Sequence, residues 1–210
     1  EARGQTSQPA IKLQKQHCKV CQAVLSTFNA FVEWVPMSHI MSKDRFLIRC
    51  LCHLLSDELL RLNAAECLLS IVGWKVGKVT DRAQLLTLFN SDMMAPLFTA
   101  TETAAQLALN EENYLFLKRM VQILVELGGQ LYACWTKDKR PENLEIYLNA
   151  LIAFTAHPSQ TVNHFANELW AKFFRHADIS QDEVFVRYIP KWIECALKKA
   201  VRIGQPNRDD

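Results

Sequence analysis

The stretch Val162-Asn-His-Phe-Ala-Asn-Glu-Leu-Trp-Ala-Lys-Phe-Phe174 decides the fold class. Val162, Phe165, Ala166, Leu169, Trp170, Phe173 and Phe174 fall at i, i+3, i+4, i+7, i+8, i+11 and i+12, so they share one stripe of a helix, and a strand could not gather them on one face. Working outward, the same period returns. Val184, Phe185, Tyr188, Ile189, Trp192, Ile193 and Ala196 form the next stripe, and Ser180 with Glu183 predicts a capping box at its start. Upstream, Phe46, Leu47, Cys50, Leu51, Leu54 and Leu55 make one stripe, and Leu144, Tyr147, Leu148, Leu151 and Ile152 make another.

Counted along the chain, the pattern predicts eight amphipathic helices, the odd-numbered ones beginning near Ile11, Asp57, Glu111 and Ser159. Breakers separate them at Pro36 to Ser42, Gly73 to Thr80, Lys137 to Pro141 and His157-Pro158-Ser159. Helix pairs recurring about every 50 residues are the signature of an all-α, HEAT-type solenoid, in which neighbouring pairs stack to bury stripes that none could bury alone. The expected organisation is a flexible or extended segment 1–10, four antiparallel pairs at about 11–56, 57–110, 111–158 and 159–203, and a flexible tail 204–210. Ala65-Glu66-Cys67-Leu68-Leu69 against Asn167-Glu168-Leu169-Trp170-Ala171 is the best internal match, two repeats apart.

With 50% hydrophobic residues among 210, the chain has ample material for a continuous core. Its 24 basic and 22 acidic residues leave a net charge of +2, so no overall field draws it to nucleic acid or to a membrane; such attraction must come from local patches. No apolar run reaches the length of a membrane span, and the opening residues lack the apolar segment of a signal peptide. The expectation is a soluble, intracellular protein, and an excerpt from a longer solenoid. The seven cysteines, an odd number, read as reduced, buried thiols on apolar helical faces rather than a disulfide framework.

Sites with chemistry are scarce. Cys18-x-x-Cys21 with His17, together with Cys50, Cys52 and His53, could be read as zinc ligands, but both groups lie within helical patterns, without the turns that structural zinc sites use, so no metal is expected. His164 and Glu168, at i and i+4, read as a surface pair. Phosphate-loop, dinucleotide, nucleophile-elbow and zinc-protease motifs are all missing, and neither catalytic residues nor a cofactor are expected. Trp34, Trp74 and Trp135 at the ends of odd helices, and Trp170 and Trp192 on stripes, are expected to pack between repeats rather than to stack on bases.

The eighth helix carries the best candidate. Opposite its apolar stripe the sequence places Arg187, Lys191, Lys198 and Arg202 at i, i+4, i+11 and i+15, interrupted by Glu194. On the concave side of a solenoid such a ridge could track phosphates. The second helix offers a shorter version in Arg45, Arg49 and His53, while the sixth presents Glu142 and Glu145. Arg187, Lys191, Lys198, Arg202, Arg45 and Arg49 are therefore the candidate phosphate or partner contacts.

Five ordered blocks carry a family resemblance: Phe31-Val-Glu-Trp-Val-Pro-Met-Ser-His-Ile40, Leu62-Asn-Ala-Ala-Glu-Cys-Leu-Leu69, Tyr114-Leu-Phe-Leu-Lys-Arg119, Ala153-Phe-Thr-Ala-His-Pro-Ser-Gln160 and Phe173-Phe-Arg-His176. Together they resemble the N-terminal third of export receptors of the importin-β (karyopherin) family. The resemblance implies a HEAT superhelix that binds Ran in its GTP form. It further implies a cargo of structured double-stranded RNA with a short 3′ overhang, chiefly microRNA precursors, carried from nucleus to cytoplasm and released on GTP hydrolysis by Ran. Nuclear pore proteins are further implied partners, and shuttling between nucleus and cytoplasm is the implied location. The family reads A-form shape, backbone and end structure, so no short contact motif transfers residue by residue. Two other readings share the periodicity: a HEAT scaffold that binds only proteins, and a HEAT-like DNA glycosylase, which needs a catalytic acid and a strongly basic groove.

Overall fold

A computed structural model describes residues 8–73, 84–107, 110–136 and 140–203. Among them stand eight main helices: α1 (Gln8–Phe31), α2 (Ser42–Leu54), α3 (Arg61–Val72), α4 (Ser91–Gln106), α5 (Glu111–Cys134), α6 (Leu144–Thr155), α7 (Gln160–Arg175) and α8 (Glu183–Ile203). A single turn, Met37–Ile40, precedes α2, and short 3₁₀ turns lie at Val32–Trp34, Leu86–Phe89 and Ile179–Gln181. No strand occurs among the described residues. The odd helices pack in the order α1, α3, α5, α7 and the even ones in the order α2, α4, α6, α8, forming two layers with the core between them. This is the HEAT-like helical solenoid that the stripes require.

The α7 stripe is where the period places it, with Val162, Ala166, Leu169, Trp170 and Phe173 fully buried and Phe165 and Phe174 half-buried against the core. The α6 stripe is likewise buried, except that Ile152 is half-exposed. In α2 the buried side is shifted by one residue: Ile48, Leu51, Cys52 and Leu55 face the core, while Phe46 is 61% exposed and Cys50 only half-buried. Two adjacent apolar stripes fit one helical period, and contact with α3 and α4, not periodicity, selects between them.

Helix starts also differ from the sequence reading. α1 begins at Gln8, so residues 8–10 are helical rather than extended, whereas 1–7 and 204–210 lie outside the described residues. Asp57 does not start α3. Its Oδ1 accepts the N–H groups of Leu59 and Leu60, closing a turn ahead of Arg61. At α8 the expected Ser180/Glu183 box is replaced by Asp182, whose Oδ1 accepts from Val184 at 2.9 Å and Phe185 at 3.3 Å, because Ser180 is taken up in a 3₁₀ turn.

The first turn of α2 is left-handed. Lys43, Asp44 and Arg45 have φ of 50°, 55° and 57°, and the right-handed helix runs on from Phe46. For residues with a Cβ this costs roughly 1–2 kcal/mol each, whereas an exposed ion pair returns about 1 kcal/mol at most.

Helix ends inside the stack are closed by side chains of neighbouring elements. Gln130 of α5 donates to the carbonyl of Val72, the last residue of α3. Asn163 of α7 donates to that of Thr155 at the end of α6, Asn143 to Phe89, and Lys199 of α8 to His157 in the α6–α7 turn. Terminal carbonyls have no partner within their own helix, so each of these bonds ties one element to the next while removing a desolvation cost.

The tryptophans divide. Trp170 and Trp135 are buried and Trp192 is half-buried, but Trp34 is 82% exposed and packs nothing between repeats, while Trp74 lies outside the described residues. Trp170 Nε1 donates to Thr155 Oγ1 at 3.0 Å, whereas Trp135 Nε1 finds no acceptor among the described residues. Replacing each by Phe in parallel should therefore cost about 1–2 kcal/mol more at Trp170 than at Trp135, measured by urea denaturation. Equal losses would show that Trp135 has an acceptor after all.

Candidate nucleic-acid interface

α8 is apolar on two sides. Phe185 and Tyr188 are buried, and Val184, Ile189 and Trp192 pack against the core, largely through the Trp170, Phe173 and Phe174 rings of α7 and the α6 layer. Val186, Ile193, Leu197 and Val201 form a second stripe that is 43–63% exposed. At about 100° per residue the basic ridge and this second stripe both lie about a third of a turn from the buried stripe, on its two flanks, so the ridge faces away from the core but shares the outward side with exposed apolar side chains. On α1 the same holds for Leu13, Val20, Val24 and Phe31, all exposed on one line.

Along the ridge, Arg187, Lys191 and Lys198 are exposed, and the side chain of Arg202 lies outside the described residues. Lys191 Nζ sits 4.4 Å from the centre of the Tyr188 ring, a cation–π contact that props the amine at the surface. Lys198 Nζ meets Glu194 Oε1 at 2.6 Å, and this cation holds the Glu194 carboxyl below the usual range by hydrogen bond and charge. Tyr188 Oη donates to the Glu145 carbonyl at 3.1 Å, fixing α8 to α6. Burial, and then the Glu145 charge, push the Tyr188 hydroxyl above its ordinary pKa, so it stays a neutral donor.

The second ridge lies on α2, with α4 and α6 standing between it and α8 in the even layer. Arg49 Nη1 meets Asp44 Oδ2 at 2.9 Å and Arg45 Nη2 meets Asp44 Oδ1 at 3.6 Å, while His53 is exposed. Glu142 and Glu145 are exposed between the two ridges, so the cations form separate patches, not one continuous band.

Sequence reasoning missed the carboxylate on α2. Asp44 is five residues from Arg49, a spacing at which helical side chains do not meet, and only the left-handed turn brings them together. The Glu194–Lys198 pair, by contrast, has the i, i+4 spacing that could have shown it.

The other candidates resolve locally. His164 Nε2 and Glu168 Oε1 are 3.3 Å apart on an exposed surface. Cys18 is half-buried and Cys21 exposed on α1, Cys50 half-buried and Cys52 buried on α2; of all seven cysteines only Cys52 and Cys67 are buried, fewer than the stripes suggested. Burial, reinforced by the Glu66 charge, pushes the Cys67 thiol up to about 11, which keeps it protonated. Among the described residues no three His, Cys, Asp or Glu side chains converge as a metal site would need, and no helix is long and apolar enough to cross a membrane.

Comparison with known proteins agrees with this architecture. Residues 111–210 match the sequence model of the Exportin-5 family, and residues 6–68 match that of Exportin 1-like protein. Exportin-5 of Homo sapiens is 39% identical over 197 residues, which cover 92% of this chain and 16% of the relative. Exportin-5 of Mus musculus is 38% identical over the same extent, and that of Dictyostelium discoideum 32% identical over 200 residues, 93% of this chain and 17% of the relative. The chain thus spans about one sixth of the length of these relatives. With two-layer helix stacking along the described residues and this similarity along nine-tenths of its length, the chain belongs to the exportin-5 family.

Proposed function

We propose that this chain is part of a nuclear export receptor, a non-enzymatic HEAT scaffold that works with Ran in its GTP form. In this reading the receptor takes up double-stranded RNA with a 3′ overhang, as in microRNA precursors, and carries it from nucleus to cytoplasm through contacts with nuclear pore proteins. The observation that carries the reading is the similarity to exportin-5 over 92% of the chain. Separate basic ridges on a near-neutral protein suit a ligand recognised by backbone and shape. Ran-GTP and RNA each favour one wrapped conformation, so each raises the other's affinity, and GTP hydrolysis by Ran releases both.

Arg187, Lys191, Lys198 and Arg202, with Arg45 and Arg49, are the proposed phosphate contacts. In a receptor of the relatives' full length, Lys191→Glu with Lys198→Glu should weaken binding of a hairpin RNA in the presence of Ran-GTP. Each lost phosphate contact should also make the log-log salt dependence shallower by about 0.7–0.9. Both side chains are exposed, so the melting temperature should hold. The measurement is a salt titration of RNA affinity beside a thermal melt. Unchanged affinity and slope in a folded variant return the α8 ridge to a solvated helix face. Absence of RNA binding by the wild-type receptor favours a scaffold for proteins alone, and base excision from alkylated DNA would favour a glycosylase.

A further inference from the structure

The turn opening α2 holds a carboxylate where stability gives it no reason to be. At about 100° per residue, positions five apart on a right-handed helix point to different sides. Asp44 nevertheless reaches Arg49, and grips Arg45 as well, because Lys43, Asp44 and Arg45 all adopt positive φ. The Asp44 side chain is 70% exposed, so water screens what the pairs return, and the strained turn is not repaid by them. Strain kept at the surface by non-glycine residues points to a purpose other than stability. On α8 the arrangement recurs in milder form, Glu194 sitting on Lys198. In both ridges an internal carboxylate occupies a cation that an external anion would need.

We propose that Asp44 is an internal competitor at an anion site formed by Arg45 and Arg49. In the free protein its carboxylate fills the site. A phosphodiester of the RNA backbone, which can accept from both guanidinium groups, displaces it and lets the left-handed turn relax. The site is a threshold: a lone phosphate gains little over the carboxylate already present, whereas a rigid duplex that engages further contacts at the same time does. This inference rests on the RNA reading above and adds a residue that tunes it.

The test compares wild type, Asp44→Asn, Arg45→Gln with Arg49→Gln, and all three substitutions together. Each is made in the full-length receptor with Ran-GTP and a hairpin RNA bearing a 3′ overhang. Asn tolerates the left-handed conformation, so Asp44→Asn removes charge without disturbing the backbone. It should tighten binding by about twofold to fivefold, the equivalent of one exposed ion pair. The salt dependence should steepen by about 0.7–0.9. Arg45→Gln with Arg49→Gln should weaken binding, and in that background Asp44→Asn should have no effect. An Asp44→Asn gain that persists without the two arginines would overturn the proposal, since the carboxylate would then be acting through general charge. Unaltered affinity in Asp44→Asn, with wild type binding normally, would overturn it too and leave the RNA reading standing. A wild-type receptor that binds no hairpin RNA would remove both.

Discussion

Gly128→Ala is expected to destabilise the protein by about 1–3 kcal/mol, while Gly129→Ala, the next residue, should stabilise it by up to about 1 kcal/mol. Both glycines lie in the middle of α5, where alanine is the better helix former. They differ in what surrounds them. A Cβ on Gly128 would collide with the Tyr147 hydroxyl and come within 2.5 Å of Leu169 Cδ2, so α6 and α7 both approach α5 at that point, whereas a Cβ on Gly129 would meet nothing within 4 Å. Tyr147 cannot step aside freely, because its ring is fully buried against Phe89 and its hydroxyl donates to the Leu124 carbonyl at 2.7 Å. Removing that hydroxyl should recover part of the loss: Gly128→Ala with Tyr147→Phe ought to be less destabilising than the sum of the two single changes. Denaturant midpoints for the four variants decide the matter. A Gly128→Ala protein as stable as the Gly129→Ala one would mean that the α5–α6–α7 junction has room for a Cβ at residue 128.

Phe185→Ala should cost about 3–5 kcal/mol, and most of the damage should be confined to α8. The ring is fully buried, with its centre 5.4 Å from Trp170, 5.9 Å from Phe173 and 5.4 Å from Phe174. It is the main plug between α7 and the N-terminal half of α8. The other ties are the buried Tyr188, the partly buried Val184, Ile189 and Trp192, and the hydrogen bonds Tyr188–Glu145, Trp192–Asn167 and Lys199–His157, none of which fills the space between the α7 rings as Phe185 does. A solenoid transmits stability between neighbours only, so loss of this plug should release the last helix before the rest of the stack. Hydrogen exchange should then show protection lost across residues 183–203 and kept in α3 to α6. Uniform loss throughout the chain would show instead that the four pairs unfold as one unit.

The helical stripes were legible because burial forces them: a helix of α7's composition must hide Val162 to Phe174 on one side, whatever its neighbours are. The same logic failed at α2 and α8 for a common reason. α2 has two adjacent stripes and α8 has apolar residues on two sides, so that Ile193 of the expected stripe is 43% exposed, and periodicity reports that a face is apolar without saying which partner covers it. The cations were legible as types and spacings, but their partners were not. Glu194 follows from the i, i+4 rule, whereas Asp44 depends on a backbone conformation that ordinary residues avoid and no local pattern announces.

By itself, the sequence determined an all-α chain of stacked amphipathic pairs and, through blocks spread along it, its kinship with exportin-5, since apolar period and residue identity are properties carried by the chain in order. Tertiary structure alone decided which stripe of α2 is core, why Gly128 admits no side chain while Gly129 does, which side chains close their neighbours' helix ends, and that a carboxylate already rests on the arginines of α2. Each of these depends on distances between residues remote in sequence or on a backbone turn of the less favoured hand. Such distances exist only once the helices have packed.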